Sequence, residues 1–163
     1  MEWQTVRTWI QILPITPRHE KPANATTADS PARSPVLFVV DDDLGTLELL
    51  CEIARDAGWT AYGFTRLSGL RRSLHERTPT LLILDDDLPD GRGGDLAREL
   101  HHDDRMAGVP ILVCTAAHPM RQAEIGAWAP VVSKPFDLSQ IEAFLGAAAA
   151  HHESSDRYAQ RAG

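Results

Sequence analysis

The chain has 163 residues, 43% of them hydrophobic and 24% charged, with a formal net charge of −7. That length suits one domain with a sizeable core. The acidic balance argues against a non-specific grip on nucleic acid or an anionic membrane, both of which need a basic face.

Residues 1–34 read as a flexible leader. The stretch PRHEKPANATTADSPARSP is rich in Pro, Ala, Ser and Thr and lacks a large aliphatic residue, so it buries too little surface to offset its chain entropy. Trp3, Val6, Trp9, Ile10 and Leu13 precede it, an apolar start too short and too broken by Pro14 and Pro17 for a signal peptide. No apolar run approaches the roughly 20 residues of a membrane-spanning helix, so a cytoplasmic location is expected.

The domain is expected over residues 35–152. Short β-rich runs occur at VLFVV (36–40), TAYGF (60–64), TLLIL (80–84), PILVC (110–114) and PVVS (130–133). Three are continuously apolar, as parallel strands covered on both faces should be. The intervals have helical periodicity. Leu47, Leu50, Cys51 and Ala54 fall on one face, with Gly58 as a stop. Leu67, Leu70 and Leu74 mark a second helix, Leu96, Ala97 and Leu100 a third, and Met120 to Ile125 a weaker fourth. In the fifth, Leu138, Ile141, Leu145 and Ala148 share a face, and Asp137 and Gln140 have capping-box spacing. Residues 153–163 are polar and expected to form a disordered tail. Strands alternating with helices predict an α/β fold: a flavodoxin-like, doubly wound, five-stranded parallel sheet of order 2-1-3-4-5 with five helices.

In such a sheet, ligands bind beyond the carboxyl ends of the strands, where strand order reverses. The acidic runs of VLFVVDDD and LLILDDD lie there, after the first and third strands. Strands one and three are neighbours in the expected order, so Asp41, Asp42 and Asp85 converge. Converging carboxylates repel unless a proton or cation is shared, and hard divalent cations take oxygen ligands, so the cluster reads as a Mg2+ site. Thr115 and Lys134 end the fourth and fifth strands, adding a hydroxyl and an ammonium. Either one alone carries little; four strand ends acting together form a constellation suited to phosphoryl chemistry.

The stretches VLFVVDDD, LLILDDDLPDGRGG, ILVCTAA and VVSKPF occur in the order and spacing of response-regulator receiver domains of two-component signalling, which this chain resembles from Val36 to about Ala150. The resemblance implies that Asp85 accepts a phosphoryl group from a sensor histidine kinase or a histidine phosphotransfer protein. It implies that Asp42 and Asp85 bind Mg2+ directly, Asp41 mainly through water, and Asp87 through its backbone carbonyl. Thr115 and Lys134 would contact the phosphoryl group, and Pro135 would follow a cis peptide bond. Output would pass to a downstream protein target through changed contacts, without nucleic acid or membrane, and the chain could form a homodimer as relatives do. No effector segment follows the fifth helix, so a stand-alone regulator is expected.

Three positions depart from the pattern. Asp86 and Asp87 follow the acceptor, where the family more often has an apolar and then a variable residue. Asp86 should turn away from the site by strand alternation, and Asp87 should alter the lifetime of the phosphoryl group. Val131 stands three residues before Lys134, where many receivers carry an aromatic residue coupled to the threonine; Trp128 is more simply a packed or surface residue.

Other readings carry less. LILDDDL matches the nucleophile motif of haloacid-dehalogenase-like phosphatases, but that leaves the first acidic run unexplained. A receiver-like interaction module that is not phosphorylated would not need the full set of site residues. His101-His102, His151-His152 and Arg71-Arg72 read as solvated surface, GRGGD as a loop-to-helix turn, and Cys51 and Cys114 as buried free thiols.

Overall fold

The computed structural model describes residues 34–162; most of the expected leader lies outside them. The five main strands are β1 (Val36–Val40), β2 (Thr60–Phe64), β3 (Leu81–Asp85), β4 (Ile111–Thr115) and β5 (Val131–Ser133). They form one parallel sheet of order β2-β1-β3-β4-β5. Five helices alternate with them: α1 (Leu44–Asp56), α2 (Leu67–Glu76), α3 (Gly93–His101), α4 (Pro119–Ile125) and α5 (Leu138–Ala162). The architecture expected from the alternating pattern is therefore present.

Strand alternation splits the core into two layers. On one face Leu37, Val39, Leu81, Ile83 and Leu112 pack against α1 and α5, where Leu50, Cys51, Ile141, Phe144 and Leu145 are buried. On the other, Phe38, Val40, Leu82, Leu84 and Val113 meet Leu70 of α2, Leu96 of α3 and Ile125 of α4. This double coverage explains why β1, β3 and β4 are continuously apolar. The predicted face of α1 is the buried one, and the helix ends in a Schellman motif. There Gly58 adopts φ 85°, its N–H donates to Arg55, and the Trp59 N–H reaches back to Ala54.

Three differences from the sequence expectation have physical causes. Strands β3, β4 and β5 begin one residue later than the apolar runs suggested. Thr80 serves as the entry to β3, its hydroxyl accepting the Val36 N–H at 3.0 Å, while Pro110 and Pro130 lack an N–H to give to a ladder. On α5, Leu138 is exposed and Phe144 is among the residues that fill the core.

The expected disordered tail over 153–163 is corrected: α5 continues to Ala162. The segment is polar but holds no glycine or proline before Gly163. Ser154 and Ser155 donate to the carbonyls of Ala150 and His151, and His152 lies 3.4 Å from Asp156 one turn on. Polarity alone does not end a helix.

Candidate functional site

The site forms at the carboxyl edge of the sheet. Asp41 follows β1 directly, and its backbone N–H is taken by the Phe64 carbonyl of β2. Its side chain is buried, with Oδ1 accepting the Asp43 N–H at 3.0 Å. Asp42 is exposed beside it. Asp43 belongs to the helix instead: its carboxylate accepts the Thr46 N–H at 2.7 Å and caps α1.

Asp85 is the last residue of β3 and is buried. Pairing of β1 with β3 brings it next to Asp41. One carboxylate oxygen each from Asp41, Asp42 and Asp85 lies within 4.8 Å of the others. From β5, the Lys134 ammonium reaches Asp41 Oδ2 at 2.7 Å and Asp85 Oδ1 at 3.2 Å. Thr115 ends β4 and is buried, its carbonyl accepting the Lys134 N–H at 2.8 Å and its hydroxyl accepting the Ala117 N–H at 3.0 Å. The Lys134–Pro135 bond is cis, as expected.

The remaining aspartates of the second run point elsewhere. Asp86 turns to the opposite face of β3, fully buried, and receives the Gly94 N–H at 2.9 Å. Asp87 is exposed and pairs with Arg92 at 2.9 Å across a two-residue antiparallel hairpin, Asp87–Leu88 against Gly91–Arg92. Asp90 in that hairpin accepts the N–H groups of Leu67 and Ser68, capping α2 from a distance. Glycine is required at position 93, because a Cβ there would stand 2.0 Å from the Asp85 carbonyl oxygen. This close approach seats the start of α3 against the end of β3.

The structure thus brings together Asp41, Asp42, Asp85 and Lys134, and places Thr115 at the end of the strand adjoining Asp85. Sequence reading missed Arg121, whose guanidinium holds Asp86 with two hydrogen bonds of 3.1 and 3.0 Å. Nothing in a single sequence signals that pairing, because the partners are 35 residues apart and meet only through helix packing.

The electrostatics follow from burial and charge. Desolvation pushes the Asp85 carboxyl above its ordinary value, with Lys134 working against that rise and Asp41 adding to it. Burial opposes the Lys134 ammonium, yet the bond to Asp41 and the charges of both carboxylates outweigh it, and its pKa is raised. Asp86 is held below its ordinary value: burial acts against this, but Arg121 and the Gly94 N–H prevail. Burial lifts the Cys114 thiol to about 12, which leaves it unreactive. Three carboxylates against one ammonium leave an excess of negative charge built from hard oxygen donors alone. That donor set fits Mg2+ and does not fit a thiophilic metal.

Comparison with known proteins agrees with this geometry. The family model of the response regulator receiver domain matches residues 37–145. The transcriptional regulatory protein GltR of Pseudomonas aeruginosa is 33% identical over 116 residues, covering 67% of this chain and 48% of GltR. The phosphate regulon transcriptional regulatory protein PhoB of the same organism is 28% identical over 115 residues, 68% of this chain and 50% of PhoB. The chain spans about half the length of the curated relatives it matches. A response regulator receiver protein from Pseudomonas putida superposes with a TM-score of 0.63 at 25% identity, covering 71% of this chain and 98% of its own. The signal receiver domain of an HD domain-containing protein from Pseudomonas fluorescens gives 0.65 at 20% identity, covering 83% and 99%, a likeness of fold.

Proposed function

The chain belongs to the response regulator receiver domain family, and from that premise we propose that it accepts a phosphoryl group on Asp85 from a histidine kinase or histidine phosphotransfer protein and signals through altered protein contacts. The observation that carries this reading is the convergence of Asp41, Asp42 and Asp85 with Lys134 between two of them.

An oxygen of Asp85 attacks phosphorus in line; the bond to the donor's histidine nitrogen breaks as the new O–P bond forms. Asp42 and Asp85, with the Asp87 carbonyl, would hold Mg2+ directly, and Asp41 would act mainly through water. Bound Mg2+ supplies charge neutralisation between the carboxylates and the incoming phosphoryl group. Lys134 fixes Asp85 before transfer and offers its ammonium to the phosphoryl oxygens afterwards. Thr115 offers its hydroxyl hydrogen to the same group from the neighbouring strand. Burial leaves the Asp85 carboxylate poorly solvated in the resting site, which raises its pKa.

A cytoplasmic setting suits this role; no helix among the described residues is long and apolar enough to cross a membrane. The phosphatase reading loses its ground because the first acidic run, idle in that reading, lies within the cluster. Intact-mass spectrometry after treatment with acetyl phosphate and Mg2+ tests the proposal. Wild type should gain one phosphoryl group only when Mg2+ is present, and Asp85→Asn none. Unmodified wild type would instead favour an interaction module that is not phosphorylated.

A further inference from the structure

Asp86 is a charged residue where the sheet offers a core position: its side chain is 0% exposed and lies on the face of β3 away from the acidic cluster. Its carboxylate receives three hydrogen bonds, from the Gly94 N–H in the first turn of α3 and from Nε and Nη2 of Arg121 in α4. The guanidinium reaches further, to Asp95 of α3 and Glu124 of α4, each at 3.1 Å. One buried charge, directly after Asp85 in the chain, is thus tied to both neighbouring helices.

Besides this tie, the helix at its other end is held by Gln122, which donates to the Ala117 carbonyl and accepts the Ser133 hydroxyl, each at 2.8 Å. α4 is seven residues long, Ile125 is its buried residue, and Met120 near its start is 79% exposed. A carboxylate buried without a partner is costly, so Arg121 cannot leave Asp86 freely, and α4 follows the end of β3. Val131, by contrast, is a packed apolar residue with no hydroxyl or ring to pass on a movement of Thr115.

We propose that the Asp86–Arg121 pair couples the phosphorylation site to α4, with Arg121 acting as a positioning residue through which a change at Asp85 reaches the surface of that helix. The inference rests on Asp85 being the acceptor. Transmission runs along the backbone from residue 85 to 86, across the bidentate pair, and into α4.

The test uses the full chain with Mg2+, beryllofluoride as the phosphoryl probe, and amide hydrogen exchange as the readout. In wild type, beryllofluoride should alter exchange both at residues 81–88 and in residues 119–126. In Arg121→Gln and in Asp86→Asn, the response at 81–88 should persist while that in α4 is lost, and Arg121→Lys should restore part of it. A variant in which α4 still responds as in wild type would overturn the coupling; a merely structural pair would lower stability without separating the two responses.

A second arm needs no probe. Exchange in α4 of Arg121→Gln should be about tenfold faster than in wild type, as loss of a charge-assisted pair implies, with α1 unchanged. Unchanged exchange in α4 also overturns the proposal. Should Arg121→Gln fail to fold, Asp86→Asn, which removes the charge from the other side of the pair, carries both measurements. Absence of any beryllofluoride response in wild type would count against phosphorylation of Asp85, and the second arm would then decide the tie by itself.

Discussion

Lys134 carries the local charge balance: one ammonium, 2.7 Å from Asp41 and 3.2 Å from Asp85, stands against two buried carboxylates. Its pKa is raised in the fold, so its stabilising contribution is complete below the ordinary value of 10.5 and fades as pH climbs through the folded value. Asp85 has the opposite sense. Its carboxyl is raised above the ordinary 3.8, so its charge costs the folded state stability at neutral pH, and that cost disappears as pH falls. In metal-free buffer at pH 7, Lys134→Met should therefore lose about 2 kcal/mol in urea unfolding, whereas Asp85→Asn should gain stability. A Lys134→Met protein as stable as wild type would show that the ammonium is not needed to offset the cluster. These residues were legible in the sequence because strand ends of a parallel sheet converge by rule. The cap made by Asp43 and the clamp made by Arg121 were not, since each depends on local turn geometry or on helix packing that no periodicity encodes.

At the scale of elements, apolar runs and helical periodicity located all five strands and helices, with small shifts at strand starts. What they could not place was the contact between α3 and the end of β3. Gly93 read as part of a loop-to-helix turn, yet it is the point where backbone meets backbone, a Cβ there standing 2.0 Å from the Asp85 oxygen and 3.3 Å from Leu84. Gly93→Ala should cost about 3 kcal/mol or more, because the atom in the way is backbone and cannot rotate aside. Gly146 in α5 has no atom within 4 Å of an added Cβ, so Gly146→Ala should gain roughly 0.5–1 kcal/mol through helix propensity. Equal urea midpoints for the two variants would refute the asymmetry. The extension of α5 teaches a related lesson: its last turns are polar, and what sets their conformation is the lack of a breaker, with serine-to-carbonyl bonds along the helix.

For the whole molecule, two apolar layers fix a rigid sheet whose edge gathers like charges, a cost the fold carries until a cation meets it. A ligand that binds only the folded state stabilises it by mass action, about 2.7 kcal/mol when present at 100 times its dissociation constant. Mg2+ should accordingly raise the melting temperature of wild type, and much less that of Asp42→Asn. Because protons compete for the carboxylates and Asp85 is raised, the Mg2+ effect should weaken at a pH above the ordinary 3.8 as the solution is acidified. An equal shift in Asp42→Asn would place the ion elsewhere. Reductive trapping reads the acceptor itself. After acetyl phosphate and Mg2+, borohydride converts an aspartyl phosphate to homoserine, which peptide mass spectrometry then locates. Homoserine replacing Asp85 alone, and only with Mg2+, is the predicted result; homoserine replacing Asp41, Asp42, Asp86 or Asp87, or none at all, would contradict it.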